Sequence, residues 1–374
     1  MAATARGPLD SGAMTGSDDT RFLALLVHRG LVSRAEAEAL LPLLKGGEPL
    51  DGLLAARLGW TAAEIARLRR TNAGEIPEIP GYDVIAKLGT GGTADVFRTL
   101  DKKSGRIVAL KVLKPECVRN DAIRQAFVRE ARLLEALDHP GLVKGFGVAK
   151  HNTTYFARLE CIDGTTLLEH LDQGEPFGEA EALRIVLSVA ETMRYLAGKE
   201  LVHRDVKPGN IMLDSSGRVK LIDLGFAAST DPKAAVGAPP AEGAAVGTVA
   251  YLSPEQARGG AAADLRSDVY SLGVTLFHLV VGRLPFEGSK DSEVLRKQVT
   301  QALSSPELKS RGFSPHLAYF VQKMMAKEAE VRYQSWQELI EDIQAQLAGR
   351  DRLAFDRDVP ERPRTTPPPR RRKF

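Results

Sequence analysis

Cysteine is nearly missing from this chain, with two in 374 residues, Cys117 and Cys161. So few thiols, in no metal-binding spacing, exclude a disulfide framework and point to a reducing compartment, the cytoplasm. Long apolar runs are missing too. No stretch reaches the roughly 18 residues that a membrane helix needs. The longest, near Leu272–Val281, is interrupted by Gly273 and His278 and reads as a buried core helix. The opening MAATARGPLDSGAMTGSDDT has no apolar core of signal-peptide type. Charge of one sign is scarce as well. The net charge is +3, yet Arg350–Phe374 holds nine Lys/Arg against four Asp/Glu, which leaves the rest at −2. That basic end, with PPPRRRK and no interleaved aromatics, argues against specific nucleic-acid recognition and reads as a solvated tail.

What is present is ordinary globular material, 43% hydrophobic and 26% charged, in a chain long enough for more than one domain. Residues 1–20 are small and polar and read as disordered. Residues 21–70 read as a small all-α unit of two helical hairpins, FLALLVHRGLVSRAEAEAL and LDGLLAARLGWTAAEIARL. The second helix of each opens on a capping box, Ser33 with Glu36 and Thr61 with Glu64. A linker, 71–81, carries Pro77, Pro80 and Gly74. From Tyr82 strands dominate: Tyr82–Leu88, Val96–Leu100, Ile107–Leu113, Leu142–Ala149 and Thr154–Glu160, with a helix over Asp121–Leu137. From Gly164 to Leu347 the pattern is mostly helical, broken by a long loop from Phe226 to Val246. Strands followed by helices make an α+β chain with a domain at 82–348 and a Pro-rich tail at 349–374.

Four segments carry chemistry. LGTGGTADVF, Leu88–Phe97, is a glycine-rich hairpin whose backbone N–H groups can approach phosphates; alone it is more often a tight turn. VALK places Lys111 at the end of an apolar strand, with Glu130 on the next helix as a partner. VHRDVKPGNIML is the strong signal. One short loop holds a carboxylate to orient an attacking hydroxyl, Asp205, a cation, Lys207, and an oxygen ligand for Mg²⁺, Asn210. LIDLGF pushes Asp223, a hard oxygen ligand, to a strand end.

The order glycine loop, VALK, helix Glu, HRDxKPxN, DLG and SPE resembles the eukaryotic-like (Hanks-type) serine/threonine protein kinases of bacteria, over about 82–348. The resemblance implies a bilobal fold with a small β-rich N-lobe and a helical C-lobe, preceded here by the all-α unit. It implies ATP and Mg²⁺ as cofactors and proteins with Ser/Thr acceptors as substrates. It makes Asp205 the catalytic base, with Lys111 and Glu130 positioning the α/β-phosphates, and Asn210 and Asp223 holding the metal. Lys207 and Thr248 mark the Ser/Thr class, with Thr248 bonding Asp205 and Lys207 on the substrate side. The nucleotide contacts fall to Leu88, Gly89, Thr90, Gly91, Gly92, Thr93, Ala94, Asp95 and Val96. Glu160 and Ile162 contact the base, with Leu159 as gatekeeper. Glu255 is expected to pair with Arg332, and Asp268 to anchor the catalytic loop.

The chain departs from that pattern at two places. Ala94 stands where the family's third glycine falls, and the expected effect is altered ATP affinity rather than inactivity. Asp231–Val246 holds no Ser or Thr, so activity is expected not to depend on phosphorylation of the central activation loop, with Glu242 or a partner standing in. The competing reading is a pseudokinase scaffold that binds nucleotide without transfer. The all-α unit is expected to be a site for a regulatory partner.

Overall fold

The computed structural model describes residues 12–28, 31–72, 77–229, 248–259, 263–303 and 312–349. By internal contacts the chain divides into two units, residues 1–89 with 95–108, and residues 90–94 with 109–374.

In the first unit four helices run α1 Gly12–His28, α2 Arg34–Lys45, α3 Leu50–Leu58 and α4 Ala62–Asn72. Both capping boxes form. The Ser33 hydroxyl accepts from Glu36 N while the Glu36 carboxylate accepts from Ser33 N, and Thr61 and Glu64 do the same. The apolar faces close on a core of Phe22, Leu26, Leu40, Leu50, Leu54 and Ile65. One expectation needs correcting. Residues 1–20 were read as disordered, but α1 begins at Gly12. Within α1 the Asp19 carboxylate accepts from Leu50 N and pairs with Arg69 at 2.5 Å. Those contacts bridge the two hairpins. Residues 1–11, and the linker from 73 to 76, lie outside the described residues.

A five-stranded antiparallel sheet follows, β1 Tyr82–Thr90, β2 Ala94–Asp101, β3 Arg106–Leu113, β4 Gly145–His151 and β5 Thr154–Glu160, in the order β1-β2-β3-β5-β4. β4 starts later than the apolar run predicts. Residues 141–143 instead bond to Leu221, with Val143 N donating to Leu221 O and Leu221 N to Gly141 O. At Gly145 a Cβ would sit 2.7 Å from the backbone of Leu134 and Glu135. Glycine there lets β4 press onto α6, Asp121–Ala136.

The remainder is helical: α5 Pro115–Val118, α7 Leu167–Asp172, α8 Glu179–Ala197, α9 Pro254–Ala257, α10 Leu265–Val281, α11 Asp291–Thr300, α12 Pro315–Met324 and α13 Trp336–Leu347. The long apolar run is α10, buried on all sides as expected for a core helix. Its Gly273 is explained by packing, because a Cβ would lie 2.7 Å from the Met324 Cβ of α12. Among the described residues no helix is long and apolar enough to cross a membrane. Two small sheets frame the loops that matter. β6 Gly164–Thr166, β8 Ile211–Asp214 and β9 Val219–Leu221 form one, and β7 Leu201–Val202 pairs with β10 Ala228–Ser229 in the other. The chain from 203 to 210 is thus held at both ends by strands, as is the chain from 222 to 227.

Candidate active site

The loop between β7 and β8 folds on its own polar residues. Asn210 Nδ2 donates to both the backbone O and the Oδ2 of Asp205, each at 2.8 Å. Lys207 Nζ donates to the same Oδ2 at 2.7 Å. The loop is anchored from below by α10. Asp268, 1% exposed, accepts from His203 N at 2.8 Å and Arg204 N at 2.7 Å. Burial pushes the Asp268 carboxyl up to about 7, against the lowering pull of those two N–H groups. Arg204 pays in backbone strain, with φ at 68°. This geometry places a carboxylate, an ammonium and an amide oxygen within one turn of chain, as the sequence led us to expect.

The second cluster gathers residues far apart in sequence. Lys111 Nζ, on β3, donates to Glu130 Oε1 of α6 at 2.7 Å and lies 3.5 Å from Asp223 Oδ2. Burial pulls the Lys111 amine down, but the Asp223 and Glu130 carboxylates outweigh it and hold the amine above its ordinary value. For Glu130 burial wins over Lys111, and its carboxyl is pushed up to about 6. Burial also pushes Asp223 up, but Lys111 and the N–H of Gly225 outweigh it and hold its carboxyl low. Asp223 is therefore anionic, with Oδ1 accepting from Gly225 N at 2.7 Å.

An activity prediction follows from Glu130. Below about pH 6 it takes up a proton and Lys111 loses an ionic partner, so kcat/KM should fall on the acid limb through that value. The sign for stability is opposite. A raised carboxyl pKa means that the folded chain holds this proton more firmly than the unfolded one. The contribution is then full at low pH and lost as pH rises through about 6. Rate and melting profiles taken side by side would separate the two; a flat kcat/KM down to about pH 5 contradicts the assignment.

Gly89, Gly91 and Gly92 of the glycine loop have no positive φ that would require glycine. A Cβ on Gly89 or on Gly92 would meet nothing within 4 Å. At Gly91 a Cβ would lie 3.2 Å from Ala94 O, so Gly89 and Gly92 are the two loop glycines that neither turn geometry nor packing demands. Leu88, Thr90 and Thr93 are exposed beside them, and Val96 is half-buried. Two loop residues turn elsewhere. The Asp95 carboxylate pairs with Lys87 at 3.1 Å. Ala94, 3% exposed, packs in a cluster with Leu113, Cys117, Phe127, Ala131 and Ala157. Its methyl fills core, which gives this position a packing role. Ala94→Gly should cost about 1–2 kcal/mol of stability through lost packing and strand entropy, with nucleotide affinity unchanged. Thermal unfolding and a fluorescent-nucleotide titration check this; weaker binding at unchanged stability contradicts it.

The donor set suits a magnesium ion carried by a polyphosphate. Among the described residues no group of three or more His, Cys, Asp or Glu could cage a metal. Asp223 offers an anionic oxygen. Asn210, whose amide nitrogen is committed to Asp205, is left with its oxygen to offer. Mg²⁺ needs little more from protein when phosphates supply the rest.

At the end of β5, Leu159 is buried, and Glu160 and Ile162 are half-buried. Here sequence reading missed a residue. Lys220 of β9, 8% exposed, donates to Glu160 Oε2 at 2.8 Å, and the same oxygen accepts from Lys144 N at 3.2 Å. The Glu160 side chain is thereby fixed. The signal was a lysine inside the apolar run VKLID, which a surface reading passes over. Thr248 opens the turn Thr248–Tyr251, and its side chain lies outside the described residues, as do 230–247 with Glu242 and the tail from 350 onward. Glu255 and Arg332 do pair, at 2.8 Å.

Residues 82–343 match the family model described as "Protein kinase domain". The chain is 31% identical over 277 residues to the serine/threonine-protein kinase PrkC of Bacillus subtilis, covering 74% of this chain and 41% of that one. It is 31% identical to the probable serine/threonine-protein kinase PknB of Lactococcus lactis, over 74% of this chain and 44% of the relative. It is 34% identical to the serine/threonine-protein kinase PknB of Mycobacterium tuberculosis, over 70% and 42%. The chain thus spans about two-fifths of the length of these curated relatives.

Proposed function

The chain belongs to the protein kinase family, and from that premise we propose that it transfers the γ-phosphoryl group of ATP to serine or threonine hydroxyls of proteins. The observation that carries the reading is the convergence of Lys207 and Asn210 on Asp205 Oδ2, at 2.7 and 2.8 Å. The clustering of Lys111, Glu130 and Asp223 supports it. Every polar residue the chemistry needs is present, so nothing in the site favours a pseudokinase.

The reaction asks mainly for positioning and charge stabilisation. Asp205 accepts the hydrogen bond of the acceptor hydroxyl and takes its proton as the new O–P bond forms. Lys207, held against Asp205, places a positive charge beside the transferring group. Lys111, fixed by Glu130, binds the α/β-phosphates, and the open loop at Gly89–Gly92 lets backbone N–H groups close on them. Mg²⁺, held by Asp223 and Asn210, would supply neutralisation of phosphate charge. The turn Thr248–Tyr251 lies on the acceptor side. The chain just after it is tied to the catalytic loop by Gln256 Nε2 donating to Arg204 O at 3.0 Å.

Cys117 and Cys161 form no disulfide, and with so few thiols in the sequence we infer a reducing compartment, the cytoplasm. The all-α unit has its own core, lies outside the matched residues, and is proposed as the site of a regulatory partner. The test of the activity is transfer from γ-labelled ATP to a generic basic protein, followed by phosphoamino-acid analysis. Label on serine or threonine supports the proposal; label on tyrosine alone contradicts it.

A further inference from the structure

Gln298 on α11 is wholly buried. The helix, DSEVLRKQVT, is mostly charged and polar, and its two buried residues are Val294 and Gln298, one turn apart. An apolar side chain at 298 would serve packing alone. A buried primary amide is kept at a cost unless its donors and acceptors are used, and here they are. Nε2 donates to Ala250 O at 2.5 Å, and Oε1 accepts from the Tyr270 hydroxyl at 2.5 Å. That hydroxyl accepts from Lys327 Nζ at 2.9 Å, and the same ammonium donates to Gln298 O at 2.7 Å. The network closes on itself, and its one outlet is Ala250, inside the turn Thr248–Tyr251.

Tyr270 is on α10, one helical residue removed from the neighbour of Asp268, whose carboxylate holds His203 N and Arg204 N. The same stretch of α10 therefore fixes the catalytic loop through Asp268 and the turn through Tyr270 and Gln298. Ser271 adds a second tie, its hydroxyl donating to Tyr251 O at 2.8 Å.

We propose that Gln298 is a positioning residue for the protein acceptor, holding the turn Thr248–Tyr251 in register with Asp205 through their shared seat on α10. The inference rests on the reading of that turn as the acceptor side of a kinase. Gln298 touches neither nucleotide nor hydroxyl; it acts through the carbonyl of Ala250. Losing it lets the turn shift relative to Asp205, and the acceptor is then bound less well while the nucleotide is bound as before.

The experiment compares wild type, Gln298→Glu and Tyr270→Phe in the full chain. Gln298→Glu keeps the acceptor for Tyr270 but turns an oxygen toward Ala250 O. Tyr270→Phe keeps the ring and removes only the hydroxyl that orients the amide. KM for a generic basic acceptor protein should rise about tenfold in the first and less in the second, the size of one buried hydrogen bond. KM for ATP should stay within about twofold in both, because no nucleotide contact changes. Amide exchange at Leu252, whose N–H closes the turn on Val249 O, should quicken in both variants and reports even where one folds poorly. An unchanged acceptor KM with unchanged exchange overturns the proposal, as does a matched loss in ATP and acceptor KM. If wild type itself transfers no label, it is the kinase reading that has failed, and this inference falls with it.

Discussion

Replacing Lys111 by methionine is expected to lower kcat by about 10²–10³-fold, the loss that follows removal of one preorganised electrostatic group from a reaction site. Methionine keeps the length of the stem and removes the charge. The consequence spreads to both partners. Glu130, already pushed up by burial, loses the cation that restrains it and becomes a neutral acid. Asp223, held low by Lys111 and the Gly225 N–H, rises as well and becomes a poorer metal ligand. Turnover and nucleotide binding should therefore weaken together. The fold should survive, since Glu130 can shed its charge by protonation. Steady-state kinetics with ATP varied, beside a melting curve, check this. Retention of more than about a tenth of wild-type turnover contradicts the role given to Lys111.

Arg332→Met should cost about 3–5 kcal/mol of stability, the range for breaking a buried ion pair by removing one partner. The Arg332 side chain is fully buried and spends all five of its N–H donors. Nε donates to Ala326 O, Nη1 to Glu255 Oε1 and Arg266 O, and Nη2 to Glu255 Oε2 and Lys327 O, at 2.8 to 3.0 Å. Burial pushes the Glu255 carboxyl up, but hydrogen bonds from Arg332 and Ser267 outweigh it and bring it down to about 2. A depressed folded pKa means that this pair stabilises above the ordinary carboxylate range and loses its effect as pH falls toward 2. The double variant with Glu255→Gln should recover only part of the loss, because the carbonyls of Ala326, Arg266 and Lys327 still lose the guanidinium donors. Denaturant unfolding at neutral pH measures both; a single-variant cost under about 1 kcal/mol contradicts the account.

How much of this was legible depends on how local each feature is. Asp205, Lys207 and Asn210 occupy one short loop, so their spacing in sequence is nearly their spacing in space. The capping boxes at Ser33 and Thr61 are legible for the same reason. Lys111, Glu130 and Asp223 are spread over more than a hundred residues; only the ordered set of motifs joined them, through resemblance to a family. Where that resemblance was silent, reading failed in characteristic ways. Asp19 meets Leu50 and Arg69 from within α1, partners that no local pattern reveals. Ala94 was placed by its position in the glycine motif, and its packing against Leu113, Phe127 and Ala157 is a tertiary contact that the motif does not show. Lys220 and Gln298 are of types usually exposed, so the sequence does not single them out. In each case tertiary contacts supply a partner that makes burial tolerable.

The central claim is that Asp205 accepts the acceptor's proton during phosphoryl transfer, and the comparison of wild type with Asp205→Asn tests it most directly. Both proteins would be incubated with γ-labelled ATP, Mg²⁺ and a basic acceptor protein, with nucleotide affinity measured in parallel. Asparagine keeps the shape and still offers the Lys207 ammonium an amide oxygen, so binding of nucleotide should persist. Label on serine or threonine in wild type, lost by about a thousandfold in the variant at equal nucleotide affinity, is the predicted result. Full transfer by Asp205→Asn would contradict it.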